Sequence, residues 1–558
     1  MKRVIIHFLC TVLEPRILLV SGLLLIILTL PYALYADEGI HYLYGCPEGY
    51  PESPAFTQHV EQTDLVRGVI PFTKTLEIGE LLFVTDFNAC DGQGRPATTG
   101  GGNKRDPVNQ PAFIRTSAPD AHSCSGCHNE PRIGGGGDFV ANVFVLAQTL
   151  DPVTESVNGE FSNERNTVGM FGAGPVEMLA REMTADLYAI RDTALTKAEL
   201  TQDAVTMSLD TKGVHFGTIT ALADGTIDSS GVRGVDPDLI VRPFHQAGKV
   251  VSLREFTNNA MNHHHGMQAE ERFDLNPQKG EDFDEDGIAR ELTVGDVTAV
   301  TLWQAALATP GQLLPETIAE RDQVNLGETL FASVGCTNCH IPELILNDRH
   351  FVEPNPYNPD DNLHDERQSV QFDMTVEGLD QRLERHGDGA IVRLYSDLKR
   401  HNLCDPIDHP DPIRFLCNEQ LAQNRPDEDG RPGSEFFLTR KLWDVGNSGP
   451  YGHRGDLTTL TQAILVHGGE ARSSRDAFVE LPTEDKAAIV TFLKTLQVLP
   501  PGTENIMVAG DESVAKLASS ASPPQPAPSV TWADMIMLTL VAMTAAVLIP
   551  FTLKSSNR

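Results

Sequence analysis

A five-residue pattern occurs twice in this chain, as Cys124-Ser125-Gly126-Cys127-His128 and as Cys336-Thr337-Asn338-Cys339-His340, and the rest of the fold has to be arranged around it. Two cysteines three positions apart lie on one helical turn, where both thiols reach the vinyl groups of a single haem. The next residue then aims its imidazole at the iron. Cys-x-x-Cys alone also suits a redox or zinc site, but the added histidine, present twice, is specific for covalently attached c-type haem. A structural zinc would call for further paired ligands at zinc spacing, and none stands nearby in the sequence. The motifs therefore predict two c-type haems held by Cys124, Cys127, Cys336 and Cys339, with His128 and His340 as proximal iron ligands.

Of the nine cysteines, four serve these motifs and Cys10 lies in the apolar N-terminal region, leaving Cys46, Cys90, Cys404 and Cys417. Four cysteines allow three pairings. Cys404 and Cys417 are close in sequence and Cys46 and Cys90 flank one N-terminal segment, so the expected disulfides are 46–90 and 404–417, as an oxidising compartment allows.

Lys2, Arg3 and Arg16 precede an apolar run, Ile17 to Leu30, and small residues at Ala33 and Ala36. This reads as a secretory signal over 1–36, with an uncleaved anchor as the competing reading. Met535–Leu553 carries no charge and as a helix would rise about 28 Å, enough to cross a bilayer. Lys554 and Arg558 follow it, so the expectation is a transmembrane helix over 532–554 with a cytoplasmic tail at 555–558 and the bulk of the chain on the extracytoplasmic, periplasmic face. A Pro-, Ser- and Ala-rich linker at 501–531 suits an extended tether.

Forty-three Lys and Arg stand against 77 Asp and Glu, a net charge of -34, which disfavours nucleic acid as a partner and attracts cationic proteins. Apolar residues recur at helical spacing in Val176–Ala189, Ser252–Ala260, Val294–Leu307 and Lys486–Leu496, whereas strand-like alternation is scarce. The predicted fold class is mainly α with long loops. Asp282, Asp284 and Asp286, with Gly287, gather three carboxylates on one turn, an oxygen set that suits Ca²⁺, although the spacing is not that of an EF-hand.

Further motifs place the chain beside a known family. They are the Ser123–Asn129 stretch followed by glycines, Phe171-Gly172-Ala173-Gly174-Pro175-Val176-Glu177, Asp282–Gly287 leading to Glu291-Leu292-Thr293, Tyr395–His401, Leu442-Trp443-Asp444-Val445-Gly446, Pro450–Asp456 and His467–Ala471. Over most of 65–500 the chain resembles the di-haem oxidoreductases, a thiol-oxidoreductase-like branch of the bacterial di-haem cytochrome c peroxidase superfamily.

The resemblance implies an N-terminal cytochrome c-like haem domain at 65–312 after an extension at 37–64, and a C-terminal one at 313–500. It implies His467 as sixth ligand opposite His340, Glu177 as the distal acid-base group of the N-terminal haem, His265 as that haem's ligand if the site is closed at rest, and a calcium between the domains. The implied activity is a peroxidase-like oxidoreductase that takes electrons at the C-terminal haem from a small redox protein, a cytochrome or cupredoxin, basic if it follows the charge, and delivers them to peroxide at the N-terminal haem. A membrane-tethered electron-transfer cytochrome without catalytic activity is the alternative.

Overall fold

In the computed structural model, the helices follow the apolar spacing, and several also carry a side-chain cap. Helix α1 (Phe72–Val84), α2 (Ala173–Thr201), α3 (Leu253–Ala260) and α4 (Val294–Ala305) build the first half. Ser252 caps α3 by accepting from the Glu255 amide, and Thr293 and Asp296 form a reciprocal capping box on α4. Gly172, at φ +70°, starts α2 in a backbone conformation that glycine adopts without strain, and a Cβ there would meet the Trp443 ring at 2.4 Å. In the second half, α5 (Ile318–Ser333) packs against α8 (Thr483–Thr495), with α6 (Leu460–Leu465) and α7 (Arg472–Glu480) beside them. The helical stretches expected from apolar spacing all fall in α2, α3, α4 and α8.

The structure describes residues 46, 51–94, 121–137, 140–143, 163–275, 279–282, 286–417, 435–503 and 505–509. The chain divides into two units, Met1–Gly510 and Asp511–Arg558, and the whole of the second lies outside the described residues. So do the expected signal at 1–36, most of the tether, the expected span at 532–554 and Asp284. Among the described residues no helix is long and apolar enough to cross a membrane. The expected transmembrane anchor, and the membrane-bound extracytoplasmic location built on it, are corrected accordingly.

The mainly α expectation is corrected as well, because helix makes up 36% and strand 16%, a mixed composition. The strands form several small sheets. Strands β1 (Val205–Thr211) and β2 (Val214–Ala221) make an antiparallel hairpin against α2. Strand β3 (Gly311–Leu314) lies between two strands from the far end of the unit, described below. Strands β4 (Leu344–Leu346), β5 (His350–Glu353), β6 (Val370–Asp373) and β7 (Gly389–Val392) pair as β4 with β7 and β5 with β6. Strand β8 (Arg400–Asn402) pairs with β9 (Phe436–Leu438). Strand β10 (Leu496–Gln497) runs antiparallel to β3, and β11 (Met507–Ala509), inside the stretch read as tether, runs parallel to it on the other side.

The largest apolar core draws on both halves. Val176, Leu179 and Met183 of α2 and Leu302 and Trp303 of α4 pack with Leu344, Phe351, Val392 and Trp443. A second cluster holds Phe56, Leu82, Phe87, Met261, Met267 and Val297, and a third joins Phe331, Tyr395, Leu460 and Phe492. The motif at 124–128 sits against the first two clusters through Cys124, and the motif at 336–340 sits against the third through Cys336.

Candidate functional site

Each Cys-x-x-Cys-His motif folds as a 3₁₀ turn whose following histidine amide closes back on the first cysteine carbonyl, His128 on Cys124 and His340 on Cys336. Cys46 pairs with Cys90 and Cys404 with Cys417, the two disulfides expected from sequence, while none of the four motif cysteines is in a disulfide. Burial pushes the Cys124 thiol up to about 12 and that of Cys336 to about 11, so these sulfurs are poor thiolate nucleophiles.

The two motif histidines are held alike. His128 Nδ1 lies 3.2 Å from the Gly135 carbonyl and His340 Nδ1 lies 3.0 Å from the Tyr395 carbonyl. Donation from Nδ1 to a carbonyl fixes the tautomer and turns Nε2 into the ligating nitrogen. Burial lowers both imidazoles to about 4, which keeps them neutral, as iron ligation requires. The thiol pairs and these nitrogens are thus a donor set that fits covalently attached haem.

Around the second motif the structure assembles more than the sequence indicated. His467, just beyond the C-terminal end of α6, is half-buried, places Nδ1 2.7 Å from the Ala463 carbonyl, and lies close enough to His340 to depress its protonation electrostatically. Two neutral imidazoles, each anchored through Nδ1, therefore share this pocket. His401 occupies the flank. Its Nε2 lies 2.8 Å from Asp397 and its Nδ1 2.8 Å from Glu470, and Cys339 belongs to the same cluster, with the ligand atoms of Cys339, Asp397 and His401 within 4.8 Å of one another. Burial opposes its charge, yet hydrogen bonds with Asp397, Cys339 and Glu470 raise it to about 11.

The first motif has different company. Phe83 lies between His128, at 6.0 Å, and Trp303, at 4.5 Å between ring centroids. His265 is buried, but its Nδ1 lies 2.8 Å from the Ala121 carbonyl and its Nε2 3.5 Å from Cys124 Sγ, so it faces the attachment turn. The imidazole that acts electrostatically on His128 is that of His264. Glu177 is fully buried in the first turns of α2. It accepts from the Leu253 amide at 2.8 Å, at the start of α3, and from Asn355 Nδ2 at 2.9 Å. Burial, then the charge of Glu353, raises its carboxyl to about 7.

Asp282 accepts from the Gly287 amide at 2.8 Å and from Gln268 Nε2 at 3.2 Å, and Asp286 accepts from the Ile288 amide at 2.7 Å. These carboxylates close their own loop. The segment 440–444 runs between the two motifs: the Arg440 carbonyl supports His340, Trp443 lies against Gly172, and Asp444 meets the backbone of Gly169, which packs on Gly135 and Gly136.

Residues 411–496, which include His467 and the Trp443 segment, match the family described as "Di-haem oxidoreductase, putative peroxidase". The resemblance carried by the motifs is borne out there, and the family implies a haem cofactor. No curated protein matches this chain. Among solved structures it is similar to one titled Kuenenia stuttgartiensis Hydrazine Synthase Pressurized with 20 bar Xenon, with 14% identity, 81% of this chain and 98% of that chain covered, and a TM-score of 0.32.

Proposed function

We propose that this chain is an exported di-haem c-type oxidoreductase of peroxidase type, with one haem on Cys124, Cys127 and His128 and the other on Cys336, Cys339 and His340. The observation that carries this is the repeated turn in which a half-buried histidine spends Nδ1 on a backbone carbonyl beside two unbridged cysteines. Two disulfides elsewhere support export from a reducing cytosol. When bound, haem supplies reversible one-electron storage and an iron at which peroxide can be reduced.

In this reading His467 is the sixth ligand opposite His340, and the C-terminal site stores and relays electrons. The 440–444 segment, through Trp443 packed on Gly172 and Asp444 on Gly169, would be the electron path toward the N-terminal site, covalent within the segment and through space beyond it. Glu177 holds the proton that cleavage of an O–O bond must move, since a carboxyl near 7 can both give and take one at neutral pH. A cationic redox protein, a small cytochrome or cupredoxin, supplies the electrons. Asp282, Asp284 and Asp286 would hold Ca²⁺ through their carboxylate oxygens.

A second reading rests on His264. If its imidazole closes the iron position opposite His128, as was expected of His265, both haems are six-coordinate and the chain is an electron-transfer cytochrome.

Intact mass should exceed that of the processed chain by two haems. The protein, supplied with calcium and pre-reduced by one electron, should react with peroxide, and Glu177→Gln should lose at least about tenfold of turnover, the low side of what acid-base assistance contributes. Absence of any peroxide reaction in the native protein would sink the peroxidase reading in favour of the cytochrome. A fast Glu177→Gln would move the proton-holding role to another acid.

A further inference from the structure

One continuous segment, Tyr395 to Asp405, touches His340, the Cys339 turn and the turn that follows His467. At its start the Tyr395 carbonyl receives His340 Nδ1. In the middle His401 holds Asp397 through Nε2, with the Cys339 sulfur within 4.8 Å of both, and Glu470 through Nδ1. The next residue donates its amide to the same glutamate, Asn402 N to Glu470 Oε1 at 2.9 Å. At its end Asp405 accepts from the Gly469 amide at 2.8 Å and from the Ile413 amide at 2.7 Å, and pairs with Arg472. Gly468 and Gly469 fit against it so closely that a Cβ would stand 2.8 Å from the Leu403 carbonyl or 2.3 Å from that of Asn402. The haem-attachment turn and the turn that follows His467 are thus fastened to the same backbone.

Within that segment His401 bonds Asp397, which with it lies within 4.8 Å of the Cys339 sulfur of the attachment turn, and on its other side bonds Glu470 of the turn after His467. An imidazole with a carboxylate against each nitrogen donates from both, so it acts as a rigid two-ended strut. Neither carboxylate is spare: Asp397 also accepts from the Lys399 amide at 2.9 Å, and Glu470 from Asn402. We propose that His401 is a positioning residue of the C-terminal haem site, bracing the Cys339 turn against the Gly468–Glu470 turn and so setting the span across which His340 and His467 share one iron. This rests on the reading of His467 as sixth ligand. His401 touches neither iron nor substrate, and its effect passes through the placement of His467.

The test uses the full holoprotein, with electron paramagnetic resonance and a potentiometric titration of the C-terminal haem, and with the N-terminal haem as internal control. His401→Gln should retain both haems by mass while part of the C-terminal low-spin signal is lost to a high-spin form, and added imidazole should restore it. Glu470→Gln alters a half-exposed side chain, so folding is safe, and it should shift the same signal and midpoint potential in the same direction by less. If His401→Gln does not accumulate, Glu470→Gln alone decides. Wild-type g-values and potential in every variant that folds overturn the positioning role. The underlying ligand reading is checked separately by His467→Ala: an unchanged low-spin signal there would remove His467 and the strut together.

Discussion

Glu177 holds a proton in a fully buried place with two fixed donors. Its carboxyl, raised to about 7 from an ordinary 4.5, is neutral in the native state well into the range where an unfolded chain would have ionised it. The stabilising difference is fully present below about 4.5 and is lost as pH rises through about 7, on the order of 3 kcal/mol in all. Chemical denaturation across pH 4 to 8 should show that decline in the native protein, and Glu177→Gln should flatten it whatever its effect at one pH. A Glu177→Gln profile with the native slope would assign the titration to Glu353, the carboxyl coupled to it. At this scale the sequence was legible where covalent chemistry demands contiguous residues, as in the two haem motifs. It was less so for the histidine triplet, because Met261–His265 forms a π-turn, a widening of the helix that apolar spacing does not announce. His401 was visible only as one histidine among several, since its partners at 339, 397 and 470 meet through the fold.

Between elements, a buried charge decides more than any single apolar contact. Arg254 on α3 is fully buried and makes a two-pronged pair with Glu271, at 2.9 and 2.9 Å, a bond to Glu353 at the end of β5 at 3.0 Å, and another to Thr298 of α4 at 2.9 Å. Arg254→Met should cost about 3–5 kcal/mol, because two carboxylates stay behind without their cation. Urea titration checks this, and a loss under about 1 kcal/mol would mean the acids simply take up protons. The helices were legible because each carries several turns of apolar spacing. The strands mostly were not, since elements of three or four residues cannot establish an alternation. The β1–β2 hairpin is the exception that could have been found. Lys212-Gly213 is a two-residue loop with both φ positive, flanked by Thr-, Val- and Ile-containing runs that alternate.

Across the whole molecule, a net charge of -34 sets a long-range field that favours encounter with a basic redox protein. Steering of this kind raises association rates by about 10–10³-fold and weakens with salt. Stopped-flow reduction of the protein by a basic cytochrome should therefore slow by at least about tenfold between low and physiological ionic strength. A rate indifferent to salt would turn attention to a neutral donor. The three-stranded sheet that holds β3 has a consequence for the birth of the protein. Its middle strand leaves the ribosome early, while its neighbours on either side are β10 and β11, among the last described residues to appear. A nascent chain must keep that strand unpaired until synthesis is nearly finished. Haem insertion at the first motif can precede completion of this sheet, and a chain stopped short of Met507 would leave the β3 edge open to pairing with another molecule.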